Sequence, residues 1–237
     1  MKILIIDNHI DRDHWGAREL VELAAQVSYG ATLTVRRAPQ EDLPTDSSGF
    51  DAVLISGSKT SANDVSPWVL RLDEWLRRAT SFSTPILGIC YGHQSLIRAL
   101  GGVDCVRSGS TQELGWGEVT LTEAGMKSRL LRGLPRSFFT FHWHHDEAIS
   151  LPQGAQHLAK SSACAIQAFE FAERPFFGVQ FHPERTAEAG EAAIFRKRAA
   201  APKTHLLNPG QSQSLYDPQV GEQIFKNFFA LKQNSSV

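Results

Sequence analysis

Residues 85–96 read PILGICYGHQSL. Within them, Gly88-Ile89-Cys90-Tyr91-Gly92 has the glycine–x–nucleophile–x–glycine pattern of a nucleophile elbow, a sharp strand-to-helix turn that lifts one reactive side chain clear of a sheet edge. Glycines two positions either side of Cys90 keep neighbouring backbone from colliding in such a turn. At the N-terminus of the helix that follows, the macrodipole favours thiolate over thiol, and the thiolate is the nucleophile. The Tyr91 amide would point into the same space, where it can stabilise an oxyanion. The blander account of Cys90 is a small buried hydrophobe, the usual fate of a lone cysteine.

A nucleophilic cysteine needs a base. Of the nine histidines, His182 ends the run PFFGVQFHPE, with Glu184 two residues on. Pro183 pushes His182 towards extended geometry. In extended chain, side chains at i and i+2 share a side, so Glu184 can orient the His182 imidazole as the third member of a triad; on a helix that spacing would fail. The alternative is an incidental strand end with a surface glutamate. A rival constellation, His142-Trp143-His144-His145-Asp146, contains H-x-H-x-D, reminiscent of a zinc motif. That motif needs a histidine directly after the aspartate, where Glu147 stands, and a metal reading leaves Cys90, Gln94 and the HPE sequence unexplained. No metal or other cofactor is expected. Cys105 and Cys164 have no recognisable neighbours and read as packing residues.

These side chains must be positioned by the elements around them. Lys2–Asp7, Asp51–Ser56 and Pro85–Cys90 are short apolar runs of the kind that form strands buried on both faces. Between them, Pro67–Ala79 carries Trp68, Leu72, Trp75, Leu76 and Ala79 as one helical stripe, with Ser66 placed to cap it and Pro67 suited to its first position. Ser95–Leu100 followed by Gly101-Gly102 reads as a helix with a glycine C-cap. Alternating strands and helices imply a parallel sheet with helices on both sides. Later strand candidates, Gly117–Thr122, Ser137–Trp143, Gln156–Lys160, Ala165–Phe171 and Phe176–His182, are closely spaced, which implies an antiparallel or mixed part. Ala187–Ala199 reads as helix, Ala201–Pro218 as loop, and a last helix near Pro218–Lys232 presents Ile224, Phe225, Phe228 and Phe229 inward. No repeat, low-complexity tract or composition shift divides the 237 residues, so one domain is expected, with an unusual segment at 185–217.

The bulk composition narrows the function classes. Hydrophobic residues make up 42% and charged residues 21% of the chain, with a formal net charge of −1; nothing in that balance calls for nucleic acid or an anionic membrane. No apolar run approaches the roughly 20 residues that cross a bilayer, and the apolar stretch before Asp7 is too short for a signal peptide. Three cysteines without a C-x-x-C pair fit a reducing cytoplasm.

The chain resembles the class I glutamine amidotransferases, a flavodoxin-like family with a Cys-His-Glu triad. The resemblance rests on ILIID at 3–7, LISGS at 54–58, GICYGHQ at 88–94, ELGW at 113–116, HWHHDE at 142–147 and GVQFHPE at 178–184, all in the family's order. Within the family it is most similar to the glutaminase part of GMP synthetase and its stand-alone relatives. The fold so implied is α/β, three-layered, with a central mostly parallel sheet plus a small antiparallel or mixed sheet. The resemblance further implies that Cys90 attacks the glutamine side-chain amide, His182 moves protons and Glu184 holds His182, with a γ-glutamyl thioester forming as ammonia leaves. The oxyanion would lie between the Tyr91 amide and an amide of the Gly57-Ser58 loop. Many relatives have two glycines there; Ser58 tolerates positive φ poorly, which bears on the shape of this loop. Gln94 matches a glutamine-contacting position, with a solvent-facing helix glutamine as the alternative. Glu113 matches a position near the substrate's amino group, with a helix–loop contact as its competitor. Trp143 and His144 match positions whose backbone meets the substrate α-carboxylate, and Asp146 reads as a brace for that loop.

Three uses follow. The chain can act as a glutaminase supplying ammonia to a separate synthetase, since no GxxxxGK[ST] phosphate loop or SGGxDS-like loop accompanies it. It can instead be a stand-alone hydrolase or peptidase of γ-glutamyl amides. A non-catalytic regulatory binder is the third, against which Cys90, His182 and Glu184 weigh.

Overall fold

The computed structural model describes residues 1–11 and 17–231, without the side chains of residues 110 and 111; position 232, the expected end of the last helix, lies outside the described residues. The first half alternates β1 (Lys2–Asp7), α1 (Arg18–Val27), β2 (Thr32–Arg37), β3 (Ala52–Ile55), α2 (Pro67–Ala79), β4 (Ile86–Ile89) and α3 (Tyr91–Gly101). The second half runs β5 (Val106–Leu121), β6 (Ser137–Ala148), β7 (Ala155–Lys160), β8 (Ala168–Phe171), β9 (Phe176–Val179), α4 (Ala187–Ala200), α5 (Ser212–Leu215) and α6 (Pro218–Ala230).

Nine strands form one mixed sheet in the order β2-β1-β3-β4-β9-β8-β7-β5-β6. From β2 to β9 neighbours are parallel, and from β9 to β6 they are antiparallel. The antiparallel part, expected as a small separate sheet, is continuous with the parallel part. The joint is β9, which pairs parallel with β4 on one edge and antiparallel with β8 on the other.

Alternation along the strands makes the three layers. Ile3, Ile5, Leu54, Leu87 and Phe177 face one way, onto Leu20 and Ala24 of α1 and Ile224, Phe225 and Phe228 of α6. Leu4, Ile6, Val53 and Ile86 face the other way, onto Leu72, Trp75 and Leu76 of α2 and Leu96 and Ile97 of α3. Each such fully buried side chain is worth roughly 1.5–3 kcal/mol.

Several boundaries differ from the sequence expectation. α2 starts at Pro67 as expected, but the Ser66 hydroxyl makes no capping bond; instead Asp64 accepts from the Ser66 N–H at 2.6 Å. β9 stops at Val179 rather than His182, because the chain leaves the sheet there. β5 and β6 are much longer than their apolar cores, since the polar ELGW and HWHHDE stretches pair with each other across the ladder. This long ribbon curls until Phe141 of β6 forms a single bridge with His182, bringing β6 to the carboxyl ends of β4 and β9. No helix among the described residues is long and apolar enough to cross a membrane.

Candidate active site

Cys90 sits between β4 and α3 at φ 53° and ψ −105°, in the left-handed half of backbone space that few side chains adopt. Two bonds hold it: its N–H donates to Val179 O at 2.8 Å, and its carbonyl accepts from Gln94 N at 3.1 Å. The flanking glycines are required by space. A Cβ on Gly88 would run into the Gly92 carbonyl, and one on Gly92 into the Ile55 carbonyl. The thiol lies 3.7 Å from Trp143 O, and Cys90 keeps 4% exposure.

His182 lies beside the thiol and hydrogen-bonds to it. Its N–H donates to Phe141 O at 2.8 Å, and its Nδ1 donates to Glu184 Oε1 at 2.7 Å. The pairing is not made by strand alternation as expected. Residues 183–184 turn, with Arg185 N donating to His182 O at 3.2 Å, and the turn folds the carboxylate back under the ring. Burial, the largest influence, drives the His182 pKa down. Against it, the Glu184 carboxylate and then Cys90, by charge and by a hydrogen bond to its side chain, raise it to about 10. Burial pushes Glu184 up, but His182 wins and holds that carboxyl below its usual range.

Gly57 lies against both residues: a Cβ there would be 3.1 Å from His182 Cε1 and 3.5 Å from Cys90 Cβ. Neither Gly57 nor Ser58 has a positive φ, so serine fits the loop. The Ser58 hydroxyl donates to Asn8 O at 2.8 Å, and Asn8 in turn holds Ser56 through its own N–H and Nδ2. Among the described residues, the Gly57 and Ser58 N–H groups have no acceptor, and Tyr91 opens α3, where the first N–H groups are unused by the helix. The loop is tied further on by Asp146, which accepts from Ser61 Oγ at 2.6 Å and Ala62 N at 2.7 Å. Arg98 of α3 donates to Ala62 O and Asp64 O, both at 2.6 Å, while pairing with buried Asp73 at 2.9 Å.

The remaining candidates sit one layer deeper. Gln94 is not solvent-facing: it is 3% exposed and donates to Asp146 O at 2.7 Å and Gln180 Oε1 at 2.9 Å. Glu113 makes a cross-strand contact rather than a helix–loop one, accepting from Gln167 Nε2 at 2.6 Å with His144 Nε2 at 3.1 Å. Trp143 presents its carbonyl to Cys90 while its ring stacks on Phe141. The H-x-H-x-D set does not converge, because the Asp146 carboxylate faces Ser61, Ala62 and Ser108. A different trio does: Cys164, expected as simple packing, lies beside Glu113 and His144. Asn8, Arg98 and Gln167 carry no sequence signal, since their partners are brought in by other strands and helices, and Gln180 reads only as part of the GVQFHPE stretch.

The family model Glutamine amidotransferase class-I matches residues 4–201. A glutamine-hydrolyzing GMP synthase subunit from Thermococcus kodakarensis is 36% identical over 124 residues, 52% of this chain and 63% of that relative, so the match spans under two thirds of it. The corresponding protein of Methanosarcina acetivorans is 32% identical over 184 residues, 78% of this chain and 87% of the relative. Gamma-glutamyl peptidase 3 of Arabidopsis thaliana is 32% identical over 142 residues, 59% of this chain and 56% of the relative. In fold, the crystal structure of a glutamine amidotransferase from Thermotoga maritima aligns over 99% of both chains with a TM-score of 0.75 at 18% identity.

Proposed function

Because the chain belongs to the class I glutamine amidotransferases, we propose that it hydrolyses the side-chain amide of glutamine to glutamate and ammonia, with Cys90 as nucleophile, His182 as proton carrier and Glu184 as its anchor. The observation that carries the reading is the convergence of these three groups, with Glu184 2.7 Å from His182 and both sides of the cleft touching Gly57. A His182 kept protonated to about 10 by Glu184 and Cys90 suits an imidazolium beside a thiolate.

In this mechanism the Cys90 thiolate adds to the side-chain carbonyl carbon. The oxyanion that forms accepts from the N–H groups of Tyr91 and the Gly57-Ser58 loop. His182 gives its proton to the amide nitrogen, the C–N bond breaks, and ammonia leaves a γ-glutamyl thioester. Water, deprotonated by His182, then adds to the thioester carbonyl, and Cys90 leaves as thiolate, which releases glutamate and restores the starting thiolate–imidazolium pair. Gln94, Glu113, Trp143 and His144 shape the pocket from behind, through the Trp143 carbonyl and the buried bonds described above.

The ammonia goes to a separate synthetase partner in the first reading, as the naming of the GMP synthase relatives as subunits suggests. The second reading, turnover of γ-glutamyl peptides by the chain alone, is supported by the likeness to the peptidase relative. The test is product release by the purified chain from glutamine and from a γ-glutamyl peptide panel, with mass spectrometry after a glutamine-mimicking electrophile. A mass shift at Cys90, and loss of turnover in Cys90→Ser, are expected; an unlabelled Cys90 with labelling elsewhere would overturn the proposal. A strong preference for peptides over glutamine selects the second reading.

A further inference from the structure

Three side chains to which the proposed reaction gives no proton or bond meet inside the antiparallel half of the sheet. Glu113 comes from β5, His144 from β6 and Cys164 from the turn before β8, and all three are buried. One carboxylate oxygen, one imidazole nitrogen and the thiol sulfur lie within 4.8 Å of one another.

The bonding of His144 makes this trio more than a packing accident. Its Nδ1 faces the Asp146 main-chain oxygen at 3.1 Å, and its Nε2 faces Glu113 Oε2, also at 3.1 Å. Both neighbours are acceptors, whereas a neutral imidazole has a single N–H. With that N–H on the carbonyl, the Nε2 lone pair points at a carboxylate, so a further positive centre, proton or metal ion, is needed between them. The third donor argues for the metal. Cys164 Sγ donates to the Ile166 carbonyl at 3.7 Å, a weak thiol bond that a thiolate–metal bond would replace. An N, O and S set of this kind suits zinc, which takes these ligands at about 2.0–2.3 Å; magnesium and calcium take oxygen ligands. A ring nitrogen fixed on a backbone carbonyl is how metal-bound imidazoles are oriented. Gln167, fully buried, borders the trio through its Nε2 on Glu113 and Ser161, and its Oε1 has no partner among the described residues. That oxygen can accept from a water in the fourth metal position.

We infer that Glu113, His144 and Cys164, behind the Cys90 cleft, form a three-ligand site for one zinc-type divalent cation. On binding, the Cys164 thiol releases its proton to solvent as the metal–sulfur bond forms, and the metal replaces any proton held between Nε2 and Oε2. Since His144 follows Trp143, whose carbonyl faces the Cys90 thiol, the ion would stiffen the strand that lines the nucleophile.

The test uses the full chain, freed of metal with a chelator, dialysed and titrated with Zn²⁺ or Co²⁺ alone. One equivalent of Co²⁺ should bind with a thiolate-to-metal absorption band. Cys90→Ser should keep that band, while Cys164→Ser should lose it and bind Zn²⁺ about tenfold or more weaker. Zn²⁺ should raise the melting temperature of the wild type, and that of Cys164→Ser by clearly less at the same concentration. Glu113→Gln, which preserves side-chain shape, provides a second variant with the same expected loss. The inference is overturned if the wild type binds no stoichiometric metal, which would leave a protonated His144–Glu113 pair as the explanation. Retention of the band in both Cys164→Ser and Glu113→Gln, or its disappearance in Cys90→Ser, would overturn it equally.

Discussion

Cys90 occupies a backbone conformation costing on the order of 1–3 kcal/mol, and its neighbours hold it there by geometry that leaves no room for change. The Gly92 Cα has the Ile55 carbonyl where a Cβ would go, whereas Gly49 has nothing within 4 Å and no positive φ. Gly92→Ala should therefore lower stability by about 1–3 kcal/mol, while Gly49→Ala should stay within about 0.5 kcal/mol; paired denaturant titrations check the contrast. His182 provides a test of charge. Its ordinary pKa of 6.5 rises to about 10 in the fold, so the folded state binds more protons than the unfolded one between those values. Its contribution to stability is complete below about 6.5 and is withdrawn as pH rises through about 10. Glu184→Gln should flatten that decline in denaturant midpoint and reduce kcat about a hundredfold or more, since proton transfer depends on an oriented imidazole. The turn at Cys90 and the pairing of His182 with Glu184 were legible because each signal lies within a few residues. The means by which Glu184 meets His182 was not: a proline-containing turn, not strand alternation, makes the contact.

At the scale of elements, the loop from Gly57 to Asp64 and the segment after α4 each depend on partners distant in sequence. Arg98 clamps the first of these to α3 through two carbonyls and a buried bond to Asp73. Arg98→Met leaves Asp73 buried without its partner, and a loss of about 3–5 kcal/mol is expected, with kcat falling alongside because the loop beside Cys90 loosens; melting curves and turnover check both. The second segment, which reads as a loop, is a strap. Leu207 bridges Gly115 of β5, with Leu207 N on Leu114 O at 2.7 Å and Trp116 N on Leu207 O at 3.2 Å. Gly115 is at φ 121°, and a Cβ there would strike Leu207 O, which accounts for the glycine in ELGW. Trp116 Nε1 donates to Ser212 Oγ at 2.8 Å, and Ser212 donates to Glu191 at 2.6 Å. Ser212→Ala should cost about 1–3 kcal/mol by orphaning the buried indole N–H, read as a lower unfolding midpoint. Deleting residues 199–214 removes this cover from Trp116 and Phe141 and should reduce turnover; unchanged kinetics would show that the strap does not support the site.

Across the whole molecule, the cleft lies where the carboxyl ends of β4 and β9 meet the returning β6, the usual place for a site in an open α/β sheet. The same enclosure buries His93 and His142. Burial drives His93 down to about 3 and His142 down to about 4, so below about 6.5 the unfolded chain takes up protons that the folded chain refuses. Stability should therefore fall as pH drops from about 6.5 towards 4. His93→Leu should make the urea midpoint less sensitive between pH 7 and pH 5 than it is in the wild type; an unchanged slope would show that His93 contributes nothing to it.

The amino-acid order alone determined the turn at Cys90, the pairing of Glu184 with His182, the bounds of α2 and the alternation of the first half, because each depends on residues within a few positions of one another. Helix α1 and strand β2 gave no comparable signal, and the polar ends of β5 and β6 could not be distinguished from loops, because their pairing energy lies in a partner strand. Only the tertiary structure decided that the antiparallel strands extend the parallel sheet, that Gln94 and Glu113 face inward, and that Cys164 lies beside Glu113 and His144. Those outcomes arise from segments tens of residues apart packing face to face, and no local pattern of side chains encodes which distant surface will meet which.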